Sequence, residues 1–150
     1  MLGRRRLSRL APRPAFGITA GTACDELYIS VPGYGSPMAL DLFAGNRVSD
    51  YETARAWYVR LLGSEPSFTP HETEAVWEVA EHRFVYILED RENPGGGMHL
   101  LFVDDLDARV EDIASRGIEP DERERYPGKA RKAIYRDPDG NEISFGGADG

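Results

Sequence analysis

Apolar positions change their spacing in a regular order from Leu40 onward. The stretch LDLFAGNRV alternates loosely between apolar and polar positions, as a strand does. The following YETARAWYVRLLG places apolar side chains three and four residues apart, which is the spacing of a helix packed on a sheet. Asp50 or Ser49 can cap this helix, and Gly63 can end it. The pattern therefore predicts a strand followed by a helix.

Short β-branched and aromatic runs come next, in PSFTP, EAVWEVAEH and RFVYILED, and they predict three antiparallel strands. After the loop ENPGGG, the pattern predicts a strand in MHLLFVDD, a helix in DLDARVEDIASRG, and a hairpin of ARKAIYRD with NEISFGG around DPDG. Val48 and Asp50 recur as Val103 and Asp105, about 55 residues later. We predict an α+β fold in which the unit β-α-β-β-β occurs twice.

The chain divides into a basic segment and an acidic domain. Residues 1–37 carry five arginines against two acids, which leaves −11 for residues 38–150 out of the −8 of the whole chain. The first segment lacks apolar periodicity, and we interpret it as a flexible tail or the product of a start codon placed too early. The acidic domain repels phosphates and anionic membrane surfaces, so we expect neither nucleic acid nor a membrane as a partner.

Cys24 is the single cysteine, which excludes a disulfide framework and favours a reducing cytoplasm. No apolar run approaches the roughly 20 residues that cross a bilayer. Pro12, Arg13 and Pro14 interrupt the apolar stretch that a secretory signal needs. The absence of acids before Asp25 is typical of an organelle transit peptide, which stays open as the less favoured alternative to a tail.

Three motifs, VSDYETARAWYVRLLG, FVDDLDARVEDIASRG and YRDPDGNEISF, resemble those of the vicinal-oxygen-chelate superfamily in order and spacing. This superfamily includes glyoxalases, bleomycin-resistance proteins and extradiol dioxygenases, and the resemblance covers residues 39–147. It implies paired modules whose mixed sheets curl into a cup with helices on the outer face. It also implies a ligand site inside the cup, commonly completed in a homodimer. It implies no particular reaction.

The resemblance also locates the positions at which metal-using relatives carry their ligands. These positions hold Phe43, Met98 and Ser144 here, and none of the three is a credible ligand for Zn, Fe, Mn or Ni. His99 lies next to Met98, and only a bulge would turn it into the cup. We therefore predict neither a metal nor another cofactor.

His71 and His82 fall in or near turns, each with acids close by. An acid–base pair would have to converge on one cavity, which the sequence does not show, so we expect both side chains to face solvent.

Strand alternation predicts which side chains line the cup. Phe43, Gly45 and Arg47 share one face of the first strand, and Met98, Leu100 and Phe102 share one face of the fifth. The predicted ligand-binding residues are Phe43, Arg47, Trp77, Tyr86, Met98, Phe102, Glu142 and Ser144.

Two functions remain open, with a binding function favoured over an enzymatic one. The first is a metal-independent protein that holds a small, cationic or aromatic molecule in the cup of a homodimer. The alternative is a glyoxalase-, lyase- or dioxygenase-like enzyme, metal-free or with other ligands such as His99 and Glu89. A third possibility is a dimeric interaction module whose cup is filled by its own side chains.

Overall fold

The computed structural model describes residues 40–149. The predictions made for residues 1–37 lie outside this range. The first module contains β1 (Leu42–Val48), α1 (Tyr51–Leu62), β2 (Phe68–His71), β3 (Glu74–Ala80) and β4 (Arg83–Glu89). The second contains β5 (Met98–Phe102), α2 (Leu106–Ala114), β6 (Glu122–Tyr126), β7 (Ala130–Arg136) and β8 (Glu142–Ala148).

Each module forms its own four-stranded mixed sheet. The strand orders are β1-β4-β3-β2 and β5-β8-β7-β6. In both sheets the first strand of the module runs parallel to the last, and the other neighbours are antiparallel. The predicted α+β class with paired β-α-β-β-β modules is confirmed, and the two sheets do not close into one barrel.

The two helices begin in the same way. The carboxylate of Asp50 accepts a hydrogen bond from the backbone N–H of Thr53 at 3.4 Å, and that of Asp105 from Ala108 at 3.0 Å. These caps satisfy donors that the first turn leaves unpaired. The first helix ends at Gly63, whose φ of 82° suits a residue without Cβ. The repeat of Val48 and Asp50 as Val103 and Asp105 therefore marks the start of the helix in each module.

One hydrophobic core joins the two modules. Its buried side chains come from both helices and from the faces of both sheets that the helices cover. The largest of them are Tyr58, Trp77, Tyr135 and Phe145. Neither helix in the described part of the chain is long and apolar enough to span a membrane.

Strand β6 is the element that the hydrophobic pattern did not single out. Its sequence ERERY contains four charged residues and no alternation. It pairs only with β7 at the edge of its sheet, so most of its side chains remain exposed. An edge strand of this kind leaves no apolar signal in the sequence.

The DPDGN segment, predicted as a hairpin turn, also fastens the modules to each other. Asn141 is fully buried; its Oδ1 accepts the N–H of Gly97 at 2.7 Å, and its Nδ2 donates to the carbonyl of Arg47 at 2.9 Å. Asp137 accepts from the same Nδ2 and from the hydroxyl of Tyr58, each at 2.8 Å. Burial, together with this carboxylate, raises the pKa of Tyr58 far above its usual range. This turn therefore ties β1, α1 and the inter-module linker together.

Candidate functional site

An aromatic wall covers the concave face of the first sheet. Phe43 on β1 lies opposite Phe84 on β4, and their rings stack at a centroid distance of 4.4 Å. Tyr86 meets Phe43 edge-on at 6.5 Å, and Phe68 meets Phe84 edge-on at 6.3 Å. Gly45 makes room for the Tyr86 ring, since a Cβ there would lie 2.5 Å from its Cζ. The predicted site residues Phe43 and Tyr86 are thus brought together.

Arg47 shares the strand face of Phe43 but lies at the rim. Its side chain is 63% exposed, and its Nε stands 3.5 Å from a carboxylate oxygen of Asp90. An exposed pair of this kind leaves the guanidinium accessible to solvent.

Trp77 lies on the other face of the first sheet. Its side chain is 1% exposed, its Nε1 donates to the carbonyl of Ser64 at 2.9 Å, and its ring packs 5.8 Å from that of Tyr58. The structure therefore separates Trp77 from Phe43 and Tyr86, with which it had been grouped. Its placement follows from its strand phase, in which Ala75 and Trp77 alternate with Glu74 and Val76.

The concave face of the second sheet is apolar along β5. Met98, Leu100 and Phe102 are 74%, 58% and 64% exposed. Their register places Glu142 and Ser144 beside the first two of these residues. Glu142 pairs with Arg136 at 3.3 Å, and the buried hydroxyl of Ser144 has no hydrogen-bond partner among residues 40–149. Four of the predicted site residues thus share one face.

Glu74 is a polar residue of this region that is absent from the residues predicted to bind a ligand. It is fully buried, and burial alone raises the pKa of its carboxyl from 4.5 to about 7. Neither oxygen accepts a hydrogen bond within the described range, although Nε2 of His71 lies 3.4 Å from Oε1. The sequence does contain a signal for its burial, because Glu74 lies on the same strand face as Val76 at the start of an apolar strand.

The histidines His71 and His82 do not form an acid–base pair. They lie at opposite ends of β3, which is about 20 Å long at roughly 3.3 Å per residue. Both side chains are about two-fifths exposed, and Nδ1 of His82 contacts a carboxylate oxygen of Asp41 at 2.6 Å.

The three positions at which metal-using relatives carry ligands do not suit a metal. Phe43 is engaged in the aromatic stack, Met98 offers an exposed thioether, and Ser144 a neutral hydroxyl. The register of β5 with β8 runs without a bulge, and Nε2 of His99 lies 3.1 Å from Oδ1 of Asn46. Residues 40–149 contain no group of three His, Cys, Asp or Glu side chains that could hold a metal ion.

Glu89, the other ligand considered, is used elsewhere. One oxygen accepts the N–H of Tyr51 at the start of α1, at 3.0 Å, and the other accepts from Nε of Arg91 at 3.2 Å. Both bonds favour the ionised form and lower the pKa of this carboxyl. Its role is to hold the first turn of the helix.

A cleft of about 870 Å³ lies between the first sheet and β5, with lining residues from β1, β3, β4 and β5. Its lining includes three predicted site residues, Trp77, Met98 and Phe102, together with His99 and Arg109. The volume lies within the range of small-molecule sites, roughly 300–1,000 Å³. The remaining predicted residues do not line it.

The sequence matches the family model of the Glyoxalase/Bleomycin resistance protein/Dioxygenase superfamily over residues 43–145. The chain belongs to this superfamily. The match covers both modules, so the resemblance noted in the three motifs is confirmed. A search of curated proteins finds no match.

Solved structures of this superfamily share the fold. A glyoxalase/bleomycin-resistance protein from Catenulispora acidiphila is 50% identical, with a TM-score of 0.71 over 74% of this chain and 100% of that one. An antibiotic-binding protein, TnmS3, from a Streptomyces species is 24% identical, with a TM-score of 0.58 over 77% and 100%. A lactoylglutathione lyase from Agrobacterium tumefaciens is 20% identical, with a TM-score of 0.57 over 75% and 95%. The last two show a shared fold only.

Proposed function

We propose that this member of the superfamily is a metal-independent binding protein that holds a small aromatic or cationic molecule on the concave faces of its sheets. The observation that carries the proposal is that Phe43, Met98 and Ser144 occupy the three positions at which metal-using relatives carry their metal ligands. Phe43 is committed to a stack of aromatic rings, which offers a flat apolar surface to a planar ligand. The antibiotic-binding relative makes such a function compatible with the fold.

A second copy of the chain completes the proposed site. Met98, Leu100 and Phe102 form a row of exposed apolar side chains, and β1 and β5 each have one strand neighbour in the described sheets. A row of large apolar residues on an edge strand favours burial against another protein surface. We therefore propose a homodimer in which this row lines a shared cup. We place the protein in the cytoplasm, with no nucleic acid or membrane as partner.

An enzyme of glyoxalase, lyase or dioxygenase type is the second candidate. The observation that favours it is Glu74, a buried carboxyl whose pKa near 7 suits a general acid or base. The binding function is preferred because, within residues 40–149, Glu74 makes its one ion-pair contact with the partly exposed His71.

The experiment is a fluorescence titration of EDTA-treated protein with proflavine, a planar aromatic cation. We expect saturable binding, and an affinity reduced about tenfold or more by Phe43→Ala, because the stacked surface is lost. Tyr126→Ala is the control, since it removes an exposed ring from β6 at the far edge of the second sheet. Binding that needs added metal, or that Phe43→Ala leaves unchanged, would contradict the proposal.

A further inference from the structure

The helix side of the cleft between the first sheet and β5 has a chemistry unlike that of the concave faces. Its apolar wall is formed by the partly exposed Leu62, Leu101 and Val103, backed by the core rings of Trp77 and Phe145, each 1% exposed. These side chains belong to both modules. A molecule in this position would contact the two halves of the chain at once.

Arg109 supplies a cation inside this cleft. Its guanidinium carbon lies 5.4 Å from the centroid of the Phe145 ring, and the residue is partly buried. Stacking on an aromatic face holds the planar group in one orientation and leaves its N–H donors free at the edge. No carboxylate or other acceptor of residues 40–149 bonds to this guanidinium.

Arg109 is one of four arginines without an acidic partner among residues 40–149, together with Arg60, Arg83 and Arg123. Residues 38–150 carry a net charge of −11, and other arginines, such as Arg116 and Arg131, pair with nearby aspartates. The Asp, Glu, Lys and Arg side chains lining the cleft are Glu78, Arg83 and Arg109, a balance of +1. The cleft is therefore locally cationic within an acidic molecule, a charge arrangement that attracts anions.

We infer that this cleft is a second binding site, which takes an organic carboxylate with an apolar aromatic body, and that Arg109 recognises the carboxylate. The planar guanidinium can donate two parallel hydrogen bonds to the two oxygens. The apolar wall takes the ring system, and a volume of about 870 Å³ accommodates it. The cleft also touches Phe84 and the β5 row, but the inference depends on Arg109, which has no part in the proposed function.

Calorimetric titration with two matched probes tests the site in the full chain. Naphthalene-2-carboxylate carries the charge, and naphthalene-2-carboxamide has the same ring without it. We expect the carboxylate to bind about tenfold more tightly than the amide. Arg109→Gln should reduce carboxylate affinity to that of the amide, and Arg109→Lys should retain part of the difference because it keeps the charge without the planar fork. Arg123→Gln is the matched control, since this exposed arginine does not line the cleft.

Fluorescence locates the bound probe. The sequence has two tryptophans, so Trp57→Phe leaves Trp77 in the cleft wall as the single tryptophan, whose emission is read after subtraction of the probe's own fluorescence. Its emission should change with the same concentration dependence as the calorimetric signal. Equal binding of the two probes, an Arg109→Gln variant with unchanged carboxylate affinity, unchanged Trp77 emission or no binding at all would each overturn the inference. The proflavine test remains distinguishable, because it depends on Phe43, which does not line this cleft.

Discussion

At the residue scale, Glu74 shows how burial converts an ordinary acid into a group that titrates near neutrality. Its carboxyl has no hydrogen bond among the described residues, so its charged form is destabilised. The sequence does indicate an unusual position, because Glu74 is an acid that lies on the same face of β3 as Val76. What the sequence could not show is that neighbouring strands would cover it completely.

Glu74 should make the stability of the protein depend on pH. The native pKa of about 7 lies above the ordinary 4.5, so the native state binds the proton more tightly than the unfolded state. The free energy of unfolding should therefore fall as pH rises from about 4.5 to about 7, by on the order of 3 kcal/mol, and should stay low above that. Urea unfolding at several pH values measures this change.

The variant Glu74→Gln should lose this component and be more stable than the parent at pH 8. Glu72→Gln removes a charge from an exposed neighbour and should leave the pH profile as it is. A profile that Glu74→Gln does not alter would show that the carboxyl is not buried in solution. His71, the ionisable side chain beside it, is unchanged in both variants.

Gly45 offers a second residue-scale prediction. An added Cβ would lie 2.5 Å from the Tyr86 ring, so Gly45→Ala must displace that ring. We expect a loss of only about 1 kcal/mol or less in unfolding free energy, because the far end of the half-buried ring can move aside, together with weaker proflavine binding. Denaturation and titration of the same preparation measure both.

Gly96→Ala is the control. No atom lies within 4 Å of a Cβ added at this position, although its positive φ adds backbone strain. Unchanged proflavine affinity in Gly45→Ala would show that Tyr86 is not part of the proflavine-binding site.

At the scale of elements, hydrophobic spacing predicted both helices, seven of the eight strands and the doubled module, because each of these elements buries one face. Charged β6 buries little and escaped notice. Trp77 faces away from Phe43 and Tyr86, because a one-residue change of phase on β3 reverses the facing of a side chain. The inter-module bonds of Asn141 could not be predicted, since they join residues 44 and 94 positions apart.

Asn141→Ala should therefore destabilise the protein strongly. It leaves the N–H of Gly97 and the carbonyl of Arg47 without their side-chain partner in a buried joint. We expect a loss of about 2–4 kcal/mol in unfolding free energy, measured by denaturant titration. Asn93→Ala, at an exposed loop position, should cost less than about 0.5 kcal/mol. A small effect at Asn141 would contradict its role as the fastening point.

At the scale of the whole molecule, the exposed row on β5 predicts the oligomeric state. Leu100→Asp places a charge in this row and should raise the dimer dissociation constant about tenfold or more. Tyr126→Asp is the control, because Tyr126 is also exposed, 48% against 58%, but lies on β6 at the opposite edge of the sheet. Sedimentation equilibrium distinguishes the two. A monomeric parent protein, or equal effects of both variants, would contradict the shared cup.

Metal independence is the central claim, and one measurement tests it most directly. Protein purified without chelator or affinity-tag metal is subjected to elemental analysis, and its melting temperature is followed during titration with Zn, Fe, Mn and Ni. Because Phe43, Met98 and Ser144 occupy the ligand positions, we expect no stoichiometric metal and no shift in melting temperature. Stoichiometric metal, or a melting temperature that rises with metal concentration as linkage requires, would contradict the account and favour an enzyme.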